Sequence, residues 1–402
     1  MLEILKVVYI TMQFPATTET FASNDVLMLD KLGVSVSVFS MKPQHKKYSQ
    51  MIDERNLHHI NLFNCNFINI LFGFFLMFRH LIKTLGLIKW IITSEKNNGK
   101  EMLKCLFLIP SSFFIYKKIT KICPDVVHLF WGHYPSIVGY LVSQYKPSIL
   151  LSTFLGAYDL NLKLNISKFI ALESDLLFTH SYSNIPSLLE LGISEKNIET
   201  IHRSIDIEYI DNIISGIDFI KGRIVTAGKL VPEKNFDITI QVLKKLVDRG
   251  GDFSLDIIGS GPELLKLKLL TKKLLLTKRV KFYEHMSQYN LFKRMALGQF
   301  FFFPSNKNSE RLPNVLKEAM YCKCVCVSSK TQGIHELIES KVNGYTFDKI
   351  DVNLENFFLL SSQKQLNKIA LNARQKISLG FQIKSSMLLY KNKWEEKIND
   401  LY

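Results

Sequence analysis

Short apolar runs rich in Ile, Val and Phe recur along this chain with helical patterns between them, an alternation that admits little other than βαβ units wound around parallel sheets. "KVVYI", "VSVSVF", "DVVHLF", "SILLSTF", "DLLFTH" and "IETIH" make one set. After "IDIEYIDNIISGIDFIKG" the alternation restarts with "RIVTAG", "SLDIIG", "RVKFYE", "QFFFFP", "CVCVSS" and "GYTF". At 402 residues the chain exceeds one ordinary core. The pattern therefore predicts an α/β protein of two Rossmann-like, doubly wound parallel-sheet domains. Such sheets take ligands at the carboxyl ends of their strands, so the two are expected to face each other across a cleft. The expected domains are residues 1–206, residues 207–380, and a helix over 381–402 that packs back toward the first.

The formal net charge of +15 favours anionic partners: nucleotide phosphates, an anionic bilayer or nucleic acid. Nucleic acid is set aside, because no recognised motif or interleaved aromatic and basic platform accompanies the charge. From Arg79 to Lys121 the only acids are Glu95 and Glu101, against nine Lys and Arg. Just before this stretch "INILFGFFLMF" is strongly apolar, yet about half the roughly 20 residues a spanning helix needs. Continued into "RHLIKTLGLIKWII", with Arg79, Lys83 and Lys89, it suits a helix lying on an anionic membrane face. An ordinary core helix with a solvated basic side reads the same way. "MLEILKVVYI" has an acid at Glu3 and no small-residue cleavage site, so it is expected to be a first strand and the chain to stay in the cytoplasm. Six cysteines give no disulfide framework; Cys322, Cys324 and Cys326 alternate as in a buried strand, and no ligand spacing points to zinc.

In the second half, "VTAGKLVPEKNFD" sets Gly228 and Lys229 at a strand end and Lys234 at the start of the next helix. Two cations there suit a diphosphate, although lysines near strand ends are commonly just solvated. "LDIIGSGPELL" offers Gly259 and Gly261 at another strand-to-helix turn. A dinucleotide fingerprint needs a small residue where Leu264 stands, so these glycines either let backbone approach a nucleotide or simply close the turn.

"SERLPNVLKEAM" places Glu310 before a helix and Glu318 on it, with Pro313 in the first helical turn. The free N–H groups of that turn form an anion site, and a carboxylate on either side would accept hydrogen bonds from hydroxyls of a sugar and a ribose. That is the binding logic of a nucleotide sugar. The spacing alone equally allows a helix-start acid at Glu310 and a surface residue at Glu318.

"GKLVPEKNFD", "IIGSGP", "FFFPS", "ERLPNVLKEAMYCKCVCVSS" and "QGIHELI", in that order and spacing, resemble the carboxyl-terminal domain of glycosyltransferase family 4, retaining enzymes of the GT-B fold. "FPATTETFASNDVLMLDKLGVSVSVFSMKP", "DVVHLFWGHYPS" and "TIHRSIDIEYI" are similar to bacterial exopolysaccharide, colanic-acid-type and O-antigen transferases. The likeness is poor over residues 44 to 122. The resemblance implies transfer of a glycosyl unit from a nucleoside-diphosphate sugar to a hydroxyl with the anomeric configuration kept. It further implies a lipid-linked saccharide acceptor, surface polysaccharide assembly (lipopolysaccharide O-antigen, capsule or exopolysaccharide), and a peripheral place on the inner face of the plasma membrane.

By the same resemblance Glu310 contacts the donor sugar and Glu318 the ribose, while Lys229 and Lys234 offset charge on the leaving diphosphate. Backbone from Leu312 through Asn314 to Val315 helps hold it, and Gly228 and Gly259 line the donor. The catalytic set is Glu310, Lys229 and Lys234. There are departures: Lys229 replaces a usual Arg, Arg311 and Glu284 stand where Gly is common, and Gly156 replaces the His of a His-x-x-Asp whose Asp159 is kept. No Asp-x-Asp occurs, so no metal or other cofactor is expected. Acceptor-side candidates are His133, Asp159, Glu19 and Thr20; His133 reads equally as a core or surface histidine, and Glu19 as a helix-start acid. Two other functions use the same residues, a nucleotide-sugar epimerase and a catalytically degenerate nucleotide-binding subunit.

Overall fold

The computed structural model describes residues 4–16, 19–306 and 310–400. The chain forms two compact units, Met1–His202 with Ile383–Tyr402, and Arg203–Gln382. The chain leaves the first unit after His202, ahead of the boundary expected after residue 206, and returns to it at Ile383.

The first unit is built on a seven-stranded, all-parallel sheet in the order β3-β2-β1-β4-β5-β6-β7. Its strands are β1 Lys6–Thr11, β2 Ser35–Ser40, β3 Asn61–Asn64, β4 Val126–Leu129, β5 Leu150–Phe154, β6 Leu176–Thr179 and β7 Ile198–Thr200. Successive side chains of a strand point to opposite faces. Val7 and Tyr9 accordingly join one buried cluster, Val8 and Ile10 another. Both faces are covered, which is why the strands read as continuous apolar runs. The β3–β4 connection carries the helices Phe67–Arg79, Leu81–Ser94, Gly99–Phe107 and Ile109–Ile122. The first of these lies so close on the last that a Cβ at Gly73 would stand 2.0 Å from the Pro110 carbonyl oxygen.

The helix Ile383–Asn399 completes this unit. Trp394 on it is wholly buried, and its indole N–H donates to Ser152 Oγ of β5 at 3.0 Å. Tyr390 packs on Phe178 of β6, ring centroids 4.3 Å apart.

The second unit holds a six-stranded parallel sheet in the order β10-β9-β8-β11-β12-β13. The strands are β8 Ile220–Ala227, β9 Ser254–Ile258, β10 Val280–Tyr283, β11 Gly298–Phe303, β12 Val325–Ser329 and β13 Tyr345–Phe347. In β11, Phe300 and Phe302 pack in one core cluster and Phe301 and Phe303 in the other. Cys324 and Cys326 follow the same alternation, and burial pushes their thiols well above the usual range. All six cysteines are free. Each sheet reverses its strand order once, between β1 and β4 and between β8 and β11, the two Rossmann-like switch points.

Candidate functional site

In the second unit the loops leaving β8, β9 and β11 are stitched together by their backbones. Gly228, just past β8, donates its N–H to the Ile258 carbonyl at 3.0 Å, and Leu230 to that of Ser260 at 3.0 Å. A Cβ on Gly259 would stand 1.9 Å from the Gly228 carbonyl oxygen, and one on Gly261 2.3 Å from that of Leu230. These glycines let one loop lie on the other, and Gly259 thereby sets the position of Gly228. The loop after β11 joins in: Asn235 donates to the Pro304 carbonyl at 2.9 Å, and the Asn306 N–H donates to that of Glu233 at 3.1 Å.

This stitching brings together two predicted residues 76 apart in sequence. Lys234, ending a short 3-10 turn Pro232–Lys234, pairs with Glu310 Oε1. Its ammonium also lies 4.9 Å from the centre of the Phe303 ring, a placement suited to a cation. The second carboxylate oxygen of Glu310 is buried and has no hydrogen-bond partner among the described residues. An unmatched buried acceptor costs about 1–3 kcal/mol. Lys229, by contrast, is exposed, and no described side-chain contact ties it down.

Beyond Glu310 the chain turns into the helix Asn314–Tyr321, capped by Pro313, one residue ahead of the first-turn place expected for the proline. With no side-chain cap, the first-turn N–H groups remain donors. Leu312 is buried in the core beneath and Val315 packs on it, so the helix start is held rigidly. Glu318 is one turn on and partly buried, not a surface residue, and burial pushes its carboxyl up to about 7 while the neighbouring Lys317 charge pulls it back.

Two cations here are buried in a way their sequence context does not announce. Lys317 is fully buried; its ammonium donates to the Arg203 carbonyl at 2.6 Å and to Asn314 Oδ1 at 3.0 Å, and lies 5.4 Å from the Phe381 ring centre. A helical position three residues after Asn314 was the only signal available. Arg311, where the family pattern has glycine, is only 4% exposed, and burial lowers its pKa against the charge of Glu336.

In the first unit the structure joins two other candidates. His133, in the loop after β4, lies with Nδ1 2.9 Å from Asp159 Oδ1, both buried. Asp159 sits in the first turn of the helix Ala157–Leu162, and its other oxygen accepts the Gly156 N–H at 3.0 Å. One carboxylate thus caps a helix and fixes an imidazole. The rings of Tyr134 and Tyr158 meet His133 edge-on at 5.3 and 5.9 Å. A side chain at 156 would begin 3.0 Å from the Phe154 ring, a tight contact, and with glycine there the kept aspartate takes its imidazole from the neighbouring strand's loop. Glu19 is the N-cap residue of the helix Thr20–Lys31, without a side-chain capping bond, and Thr20 opens that helix; no described contact joins either to His133 or Asp159. Among the described residues no three His, Cys, Asp or Glu side chains gather as a metal site.

Two parallel-sheet Rossmann-like domains, one with an anion-competent helix start flanked by carboxylates, define the class of GT-B glycosyltransferases. Residues 215–376 match the family model described as glycosyl transferases group 1, and these residues belong to that family. The chain therefore carries a glycosyltransferase domain of the group 1 type. It is 25% identical over 293 residues to the N-acetyl-alpha-D-glucosaminyl L-malate synthase of Bacillus anthracis, covering 69% of this chain and 76% of the relative. It is 30% identical over 166 residues to the amylovoran biosynthesis glycosyltransferase AmsK of Erwinia amylovora, 40% of this chain and 41% of the relative. Among solved structures, Anabaena HepE in complex with UDP superposes with a TM-score of 0.72 at 15% identity, covering 98% of this chain and 100% of that one. At that identity the likeness speaks for the fold.

Proposed function

We propose that the chain moves a glycosyl unit from a nucleoside-diphosphate sugar to a hydroxyl of a lipid-linked saccharide, with the anomeric configuration retained, in assembly of a bacterial surface polysaccharide. The observation that carries this reading is the Glu310 carboxylate: one oxygen on Lys234, the other buried and unmatched, just ahead of the uncapped Asn314–Tyr321 helix. An acceptor oxygen placed there suits a donor-sugar hydroxyl. Lys234, Lys229 and the N–H groups of Asn314 and Val315 bind the diphosphate, whose charge grows as the anomeric C–O bond breaks. Groups that hold the leaving group more strongly in the transition state than in the ground state are the ones that accelerate the step. Glu318 accepts a ribose hydroxyl, and Gly259 acts by holding Gly228 in place. His133, oriented by Asp159, meets a hydroxyl of donor or acceptor, with Glu19 and Thr20 on the acceptor side.

The lysine charges fill the role a bridging metal has in other transferases, so the reaction is metal-independent and runs in excess chelator. The supporting context is the AmsK relative, whose name places it in amylovoran biosynthesis, and the Anabaena neighbour, whose structure contains UDP. The working place is cytoplasmic, on the inner face of the plasma membrane.

The test is product analysis with purified protein, a panel of nucleotide sugars, and lipid extract from a deletion strain as acceptor. Transfer to lipid, lost in Glu310→Ala and Glu318→Ala, is expected. Free sugar released equally without acceptor would point to an epimerase, and no nucleotide binding at all would point to a degenerate subunit.

A further inference from the structure

We infer that the outer face of the helices Phe67–Arg79 and Leu81–Ser94 docks into one leaflet of an anionic bilayer. This extends the lipid-linked reading above by naming the surface that meets the lipid. The inner sides of both helices belong to the first unit's core. Leu76, Leu87 and Ile91 are buried there, and Gly73 rests against the Pro110 carbonyl. On a helix whose inner stripe is already buried, the outer stripe normally carries polar residues. Here it carries Phe67, Phe72, Phe75, Phe78, Ile82 and Leu85, with Phe75 56% and Phe78 74% exposed. Contiguous apolar surface of this kind marks an interaction site.

The charge names the partner. From Phe67 to Ser94 there is no Asp or Glu, and Arg79 and Lys89 stand beside the apolar residues. A second copy docking through the same patch would set these cations against their own equivalents, whereas an anionic lipid surface attracts them. Lys83 turns away from that face, its ammonium reaching the Tyr116 hydroxyl at 3.2 Å and lying 4.5 Å from the Tyr145 ring centre. The same geometry sets the depth of docking. No single described helix is long and apolar enough to cross a membrane; the two pass that test only as a pair, bent by 103°. Each is about 20 Å long at 1.5 Å per residue, against a hydrocarbon core of about 30 Å. With their inner sides tied into the core, the pair lies in the interface, aromatic side down, as monotopic amphipathic helices do.

Co-sedimentation with phosphatidylcholine vesicles, with and without phosphatidylglycerol, tests this in the absence of donor and acceptor, so a failed transferase assay leaves the result intact. The full chain is expected to bind the phosphatidylglycerol vesicles and to release as salt is raised. Phe75→Glu with Phe78→Glu lowers the partition by at least roughly tenfold, and Arg79→Ala or Lys89→Ala by about fivefold each. Thermal melting by circular dichroism identifies any variant that has not folded, and for such a variant Phe75→Ser with Phe78→Ser takes its place. Absent binding, equal binding to both vesicle types, or unchanged binding of the aromatic variants overturns the proposal. So does a dimer in solution that the same variants dissolve while no vesicle is bound.

Discussion

The Nδ1 atom of His133 lies 2.9 Å from Asp159 Oδ1, and the two residues come from the segments that follow adjacent strands, a loop after β4 and the start of a helix after β5. Asp159 also accepts the Gly156 N–H, so its removal costs both a helix cap and the orientation of the imidazole. Asp159→Ala is expected to destabilise the chain by about 1–2 kcal/mol, the size of a lost cap, measured by urea unfolding. His133→Ala makes no such loss of a cap, and is expected to lower kcat while UDP binding, measured by calorimetry, stays as it was. Weakened UDP binding in His133→Ala would place the histidine elsewhere in the scheme.

Burial brings the titration of Glu318 close to neutral pH. Its carboxyl is raised from 4.5 to about 7 by burial, so it is protonated below that pH and a full acceptor above it. UDP binding is expected to tighten as pH rises through about 7 and to level off above, with the slope absent in Glu318→Gln. Stability runs the other way. Between 4.5 and about 7 the folded state holds a proton that the unfolded chain has lost, so stability falls across that window and is flat beyond it. Urea midpoints of the parent and Glu318→Gln against pH would show the difference.

Lys317 links that titration to its surroundings. Its charge lowers the Glu318 pKa, and its ammonium also holds the Arg203 carbonyl and Asn314. Lys317→Met keeps the packed volume but leaves that buried carbonyl short of a donor, at a cost of about 1–3 kcal/mol. It also removes the opposing charge, so the pH at which UDP binding tightens is expected to move upward. A purely structural lysine would leave the pH profile where it was.

Gly259→Ala sets a methyl 1.9 Å from the Gly228 carbonyl, at a residue whose φ is +148°. The β8 loop has to give way, and a loss of about 1–3 kcal/mol in urea unfolding is expected, together with weaker UDP binding as Gly228 shifts. The same substitution at Gly250, where a Cβ meets nothing within 4 Å, costs strain from its φ of +80° but leaves UDP binding unchanged.

The sheets were legible because strands covered on both faces leave long apolar runs. "FFFF" in β11 and the alternating cysteines before and within β12 are read correctly for that reason. β3, Asn61–Asn64, was not: four residues with asparagine at both ends carry no such run, and only the edge position against β2 makes them a strand. Glu310 and Lys234 were each singled out from motif order, yet their contact with one another was not, and it depends on loop stitching that no local pattern encodes. Lys83, Lys317 and Arg311 show the limit most plainly. A long basic side chain reads as solvated, and whether it instead turns inward is decided by tyrosines, a carbonyl or a carboxylate supplied from distant segments. His133 and Asp159 were each singled out, but their bond follows from the pairing of β4 with β5, which is a property of the sheet and not of either stretch.

The first unit is assembled from two separated stretches, and its core waits on Trp394, some 190 residues downstream of His202. At a translation rate of about 5–20 residues per second, roughly 10 to 40 s pass between the two. During that interval the nascent chain presents Phe178 and Ser152 without the tryptophan that covers them, and the second unit has all of its strands made before Trp394 is added. On the ribosome the order of completion is therefore inverted: the stretch synthesised first is the one finished last, and a chaperone acting on this chain would find its substrate in the amino-terminal half.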